Sequence, residues 1–202
     1  FLVVAVLLAN PFDARASEQD SYAVKYFDAE TNELIYSEIK SMDEAASSNF
    51  VYEPPYIFQN EEGEIFTLDA DNPRNRFVIS PFLVVEEGTG HGTGRQSFCI
   101  YYKKGAPEKG KTAVKVRMFT RDIEQVKQVS VKYVDQLPVG GTFVYKPDNC
   151  VETGERGPFD YIFDENDAEN QLEITGLSED IEENVLNVFY KTEYIEVLIP
   201  YP

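Results

Sequence analysis

The string Phe-Val-Tyr-Glu-Pro at residues 50–54 returns as Phe-Val-Tyr-Lys-Pro at 143–147, 93 positions later. Three further matches keep the same order at nearly the same offset. YAVKYF (22–27) matches TAVKVR (112–117) at 90, VIS (78–80) matches EIT (173–175) at 95, and IYYKK (100–104) matches VFYKT (188–192) at 88. Ordered matches whose offset drifts slowly are the mark of a duplicated unit with insertions in its loops. Such a chain folds one small architecture twice, and the boundaries fall at about 17–105 and 106–192.

The drift locates an insertion. Between the last two anchors the offset falls from 95 to 88, so the first unit carries seven more residues there, and GTGHGTG (88–94) is seven residues long. A glycine-rich loop cradles phosphate when it follows a strand and opens a helix whose N-terminal amides face the anion. Here RQSFCIYYKK follows, rich in β-branched and aromatic residues, and no Lys-Ser/Thr pair succeeds the glycines. The stretch reads as a flexible hairpin tip. His91, the only histidine, lies inside it and makes a poor base or metal ligand there.

The hydrophobic period is two almost everywhere. In AVKVRM (113–118), Val114, Val116 and Met118 share one face while Lys115 and Arg117 share the other. Leu186, Val188 and Tyr190 fall likewise on one side of LNVFYK. These patterns describe strands with one buried and one wetted face. Turn-forming stretches separate them: DAETNE (28–33), NEEGE (60–64), TGERGP (153–158) and DENDAEN (164–170). Helix-compatible sequence is scarce. SMDEAASSN (41–49) has room for one or two turns, but its counterpart VDQLPVGGT cannot make a regular helix. The expectation is all-β or β-rich α+β: two tandem small antiparallel β domains with little helix, joined by KKGAPEKGKT (103–112).

Both ends carry signals. FLVVAVLLAN followed by PFDARAS matches the apolar core and small-residue cleavage site of a secretory signal peptide, with cleavage expected after Ala16. The segment is too short to span a bilayer, and its missing basic start implies that the sequence begins inside the signal (1–16). At the other end, EYIEVLIPYP (193–202) opens a further β segment and stops. LPVGG (137–141) loosely resembles a sortase signal, but no apolar segment follows it, and it reads as a turn.

Acidic residues outnumber basic ones by 36 to 18. By unit the counts are 16 against 7 and 17 against 10, so the nets are −9 and −7. A surface negative throughout repels nucleic acid and anionic lipid, which excludes those partners. Disorder is excluded too, because 14 Phe and 13 Tyr recur in alternating runs that supply cores for units of about 88 residues. The two cysteines, Cys99 and Cys150, sit at non-equivalent places, one per unit. That rules out a repeated intra-unit disulfide and leaves a bridge between units or two free thiols.

An opening AVKVRMF, the string PVGGTFVYKP and the closing ITGLSEDIEENVLNVFYK (174–191) together resemble the MucBP-type (mucin-binding-protein-like) repeats of Gram-positive secreted and cell-surface proteins. The likeness covers both units and is better in the second. The first lacks the Gly-Gly before its FVYEP and carries the glycine insertion. The resemblance implies β-grasp-like or related modules strung along adhesins and cell-wall stalks. It implies a mucin ligand by its label alone, and an acidic surface gives no electrostatic help towards sialylated or sulfated glycans. Some Gram-positive stalks join a lysine of the first strand to an asparagine of the last. Lys115 and Asn187 occupy such strands, but Lys115 faces away from Val114 and Val116, and the first unit sets Lys25 against Cys99. No such bond is expected.

No catalytic constellation presents itself. A histidine-based triad would have to use His91, and neither cysteine has a basic neighbour that would lower its pKa. The matched anchors are framework positions and preserve no acid pair. Calcium is the better inorganic candidate, with Asp164, Asn166, Asp167 and Asn170 as oxygen ligands. Turn formation by Asp and Asn explains the same residues. The assignment is therefore no enzyme, no cofactor and no metal. Two function classes stand: an extracellular repeat module acting as adhesive or spacer domains with a protein or glycan ligand, or the accessory non-catalytic part of a larger secreted enzyme. A signal peptide abutting the first unit leaves no room for an upstream domain and favours the former. Each unit is expected to close its own core, with Phe143 and Tyr145 on one face and Val144 on the other, so that Phe143→Ala costs about 3–5 kcal/mol if that face is inward.

Overall fold

The structure, a computed structural model, describes residues 21–41, 50–79, 97–121, 125–148, 150–151 and 159–194. The first unit supplies β1 (Ser21–Asp28), β2 (Leu34–Ser41), β3 (Phe50–Val51), β4 (Ile57–Gln59), β5 (Ile65–Leu68), β6 (Val78–Ile79) and β7 (Ser97–Lys104). The second supplies β8 (Lys111–Arg121), β9 (Val126–Pro138), β10 (Thr142–Val144), β11 (Cys150–Val151), β12 (Phe159–Phe163), β13 (Glu173–Thr175) and β14 (Val185–Tyr194). Among the described residues the one helical piece is a 3-10 turn at Ile181–Glu183. The signal-like 1–16, the 88–94 insertion with His91, and all of SMDEAASSN but Ser41 lie outside the described residues. So does the tail beyond Tyr194.

Two five-stranded sheets result, ordered β2-β1-β7-β5-β4 and β11-β12-β14-β8-β9, and each unit adds a two-stranded ribbon, β3-β6 and β10-β13. The sheets are mixed where an antiparallel arrangement was expected: in each unit the first and last strands pair parallel at the centre. Parallel neighbours need a long crossover, and each unit places its whole middle section between them.

Strand pairings in the two sheets run side by side. Phe50 opposes Ile79 as Phe143 opposes Ile174, at offsets of 93 and 95. Phe66 and Leu68 of β5 lie beside β7 as Tyr161 and Phe163 of β12 lie beside β14. Phe27 stacks on Tyr101 at 5.4 Å, and Phe119 on Phe189 at 5.5 Å. That last pair of pairs corrects the first anchor. Lys25 opposes Cys99, and Arg117 opposes Asn187, so with the closing strands offset by 88 the opening strands are offset by 92, and the sequence match gives 90. A slip of two residues keeps every side chain on its face, so hydrophobic alternation cannot detect it.

The inward faces are those the period-two pattern predicts. Val114, Val116 and Met118 pack with Leu186, Val188 and Tyr190 in one cluster; Tyr22, Val24 and Tyr26 pack with Phe98, Ile100 and Tyr102 in the other. Tyr145 joins the second cluster with Phe143 against it, while Val144 is exposed. The cores are not wholly self-contained, however. The first cluster also takes in Ala113, Val131, Tyr133 and Ile181 from the second unit.

Candidate functional site: the seam between the units

After β3 the chain runs out through Glu53 and Pro54 to the buried Tyr56. Glu53 lands on the outer face of the second sheet. Its carboxylate accepts from Arg117 Nε and Nη2, both at 2.8 Å, and from Gln128 Nε2 at 2.7 Å. Lys115 Nζ lies 3.5 Å away. On its other side Lys115 donates to Glu182 at 2.8 and 3.1 Å, and its side chain is only 4% exposed. Tyr133, paired with Lys115 across β8 and β9, donates its hydroxyl to the Pro54 carbonyl at 2.8 Å and packs against the Phe77 ring.

The 3-10 turn holds Glu182 in place over Lys115. Asp180 caps it by accepting from Glu182 N, and the buried Asn184 closes it. The Asn184 side-chain amide donates to the Ala113 and Ser178 carbonyls and to Thr112 Oγ1, while its backbone carbonyl accepts from Lys115 N at 2.9 Å. The segment closing the second unit's repeat motif thus supplies one wall of the seam.

This overturns the expected wetted face. Lys115 and Arg117 do share the side opposite Val114 and Val116, but the first unit covers that side. Asn187 sits beside Arg117 and takes its contacts from Gln171, while Lys115 opposes Val185, so lysine and asparagine are not partners.

Electrostatics follow from this burial. Burial pushes the Glu53 carboxyl up, but Arg117, Gln128 and Lys115 together outweigh it and hold the group below the usual carboxylate range. Farther along the seam Asp135 is pushed up by burial and by Asp71, with Lys103 opposing. Burial and then Asp135 push the Tyr56 hydroxyl up to about 12. A buried ion pair adds little net stability but fixes relative position, because any other register strands a charge without its partner.

The candidate calcium loop is built as a turn. Asp164 Oδ1 accepts from Asn166 N, and Asp167 accepts from Glu169 N and Arg121 Nε. Asn170 donates to the Asp164 carbonyl at 2.7 Å and accepts from Phe189 N at 2.8 Å. Among the described residues no group of three or more acids, cysteines or histidines is arranged to hold a metal. The loop has a twin that sequence reading missed. DADNPRN (69–75) sits at offset 95, and Asn75 donates to the Asp69 carbonyl and accepts from Tyr101 N, each at 2.8 Å. Arg74 covers the Tyr101 ring as Arg121 covers that of Phe189. The shared offset with VIS and EIT was the available signal.

The remaining sequence candidates are structural. LPVGG closes the β9–β10 turn: Gly140 has φ +75°, and a Cβ on Gly141 would meet the Pro138 carbonyl at 2.9 Å. Cys99 is a free thiol.

No family model matches the chain, and no curated protein does. Among solved structures, the chain is similar to the type 2 repeat of the mucus binding protein MUB from Lactobacillus reuteri. Identity is 10%, coverage is 86% of this chain and 100% of that one, and the TM-score is 0.20. It is also similar to Mub-RV, with 16% identity, coverage of 86% and 99%, and a TM-score of 0.19. Likeness at this level says nothing of function, which rests on the chain's own residues.

Proposed function

We propose that the chain is a non-catalytic extracellular repeat module of a bacterial surface or secreted protein, two β units (17–105 and 106–192) that act as adhesive or spacer domains. The observation that carries this reading is the seam. Glu53 of the first unit accepts its hydrogen bonds from Arg117 and Gln128 of the second, and it lies 3.5 Å from Lys115, the charged side chain withdrawn furthest from water among the described residues. An enzyme would aim such groups into a cleft. Repetition of one architecture, a shared apolar cluster and a covered charged face are what a semi-rigid rod of modules needs. The MucBP-like motifs supply the extracellular setting and the mucin-type glycan or protein ligand as the first candidate partner.

The test is backbone 15N relaxation of the whole chain. Both units should report one correlation time, that of a single anisotropic body. Two independent, shorter correlation times would overturn the spacer reading. For the adhesive role, the chain should be retained on immobilised mucin glycoprotein and released by soluble mucin. No retention would leave the spacer role alone.

A further inference from the structure

One unit's seam face and the other unit's seam-facing string are both used at the junction, and each has a counterpart in the other unit that the junction does not use. Strand register identifies the counterparts. Arg117 corresponds to Lys25, since each opposes the same place on its closing strand, and Tyr133 corresponds to Ile39, which pairs with Ala23 as Tyr133 pairs with Lys115. On the opposite side, Val51 and Glu53 correspond to Val144 and Lys146, through the paired FVY strings.

Exposure separates the used surfaces from the unused ones. Tyr133 is 1% exposed and Ile39 is 62% exposed. Val51 packs against the first cluster, whereas Val144 is 55% exposed. Apolar side chains therefore stand in solvent at the two places whose counterparts the seam covers. Charge separates them further. Glu53 meets Arg117, but its counterpart is Lys146, a cation.

We infer that the Val144–Pro147 end of the second unit is a docking surface for another β unit, one that presents a carboxylate where this chain presents Arg117 or Lys25. The same end refuses a second copy of this chain. Copying the seam between two molecules would set Lys146 against Lys25, and like charges facing one another at a half-covered contact select against that pairing. The contact would be head-to-tail and would not close on itself, so without this mismatch the chain would grow into open fibres in solution. The inference rests on reading the chain as a repeat module and specifies the neighbour that its second unit accepts.

Charge reversal provides both the probe and the control. Sedimentation velocity is run on the full chain as wild type, Lys146→Glu, Lys25→Glu and the double reversal, at concentrations up to about 1 mM, which a short linker supplies within one chain. Lys146→Glu recreates the acid-to-base pairing of Glu53 with Arg117. Lys25→Glu turns the chain itself into the acid-bearing partner. Both single variants should associate head-to-tail, at least about tenfold more tightly than wild type, and added salt should reverse the association. Wild type and the double reversal, which sets Glu against Glu, should stay monomeric. General repulsion predicts the contrary, because each reversal makes an acidic chain more acidic. Four monomers, four associating proteins, or a double reversal that behaves like the singles would each overturn the proposal. The pattern is read on association alone, so its failure is distinct from failure of the relaxation test, and two single variants guard against one that does not fold.

Discussion

Glu53→Ala is the perturbation that most directly tests the seam. It deletes the bidentate contact with Arg117, the bond from Gln128 and the 3.5 Å ion pair with Lys115. Net hydrogen bonds to charged groups run about 1.5–3 kcal/mol each, but they do not simply add. Two features trim the sum: Arg117 keeps a third of its side chain in water, and Lys115 retains Glu182. The expected loss is about 2–4 kcal/mol in urea unfolding of the whole chain. It should be accompanied by faster amide exchange at Tyr133 than at Val116, whose neighbours are all within the second unit. Replacing Glu53, Lys115 and Arg117 together by Leu, Met and Met should recover most of the loss, since apolar residues of similar volume can replace a buried charge network. A loss under about 0.5 kcal/mol, the value of an exposed pair, would show that the seam closes without its charges and would refute the reasoning.

Three further outcomes follow from the same contacts. Glu53 is held below its ordinary value, so its contribution is full above the unfolded value of 4.5 and is lost as pH falls through the folded one. Asp135, raised above 3.8, works in the opposite sense, its charge costing stability above the raised value and the cost disappearing as pH falls through it. Urea midpoints between pH 7 and pH 3 should therefore show a shallower acid loss in Glu53→Ala, and a gain at pH 7 in Asp135→Asn. Asn170→Ala and Asn75→Ala each leave a strand amide without its acceptor, while the loop carbonyl keeps its backbone partner, so each should cost about 1–3 kcal/mol in urea unfolding, unaltered by EDTA. The 106–192 fragment should fold with a β-type circular dichroism spectrum and a cooperative melt, but less stably than within the chain, because Tyr133 and Val131 lose their cover.

The inward half of the fold was legible because it obeys a short-range rule. Val114, Val116 and Met118 alternate with charged residues, and alternation states which side chains share a face. It does not state what lies over that face. Lys115 and Arg117 carry the letters of solvated residues and become the seam only because Glu53, more than 60 positions earlier, is delivered to them by the other unit. Glu182 was equally out of reach, since its place depends on a 3-10 turn closed by the single residue Asn184. The parallel central pairing was hidden for a related reason: a strand in the middle of a mixed sheet has the same period as one in an antiparallel sheet. The DADNPRN and DENDAEN loops were within reach. Their paired asparagines perform the same two hydrogen bonds, and inspection at the offset of 95 exposes them.

The parallel placement of β1 beside β7, and of β8 beside β14, has a mechanical consequence. Antiparallel neighbours joined at one end peel apart one bond at a time when their free ends are pulled. In this chain each unit enters through one central strand and leaves through its parallel neighbour, so tension applied at the two ends of a unit runs along both strands in opposite directions. Six registered residue pairs in each unit, from Ala23 with Ser97 to Asp28 with Tyr102 and from Lys115 with Val185 to Thr120 with Tyr190, are then loaded in shear at the same time. A tether under flow would hold until the whole ladder gave way at once.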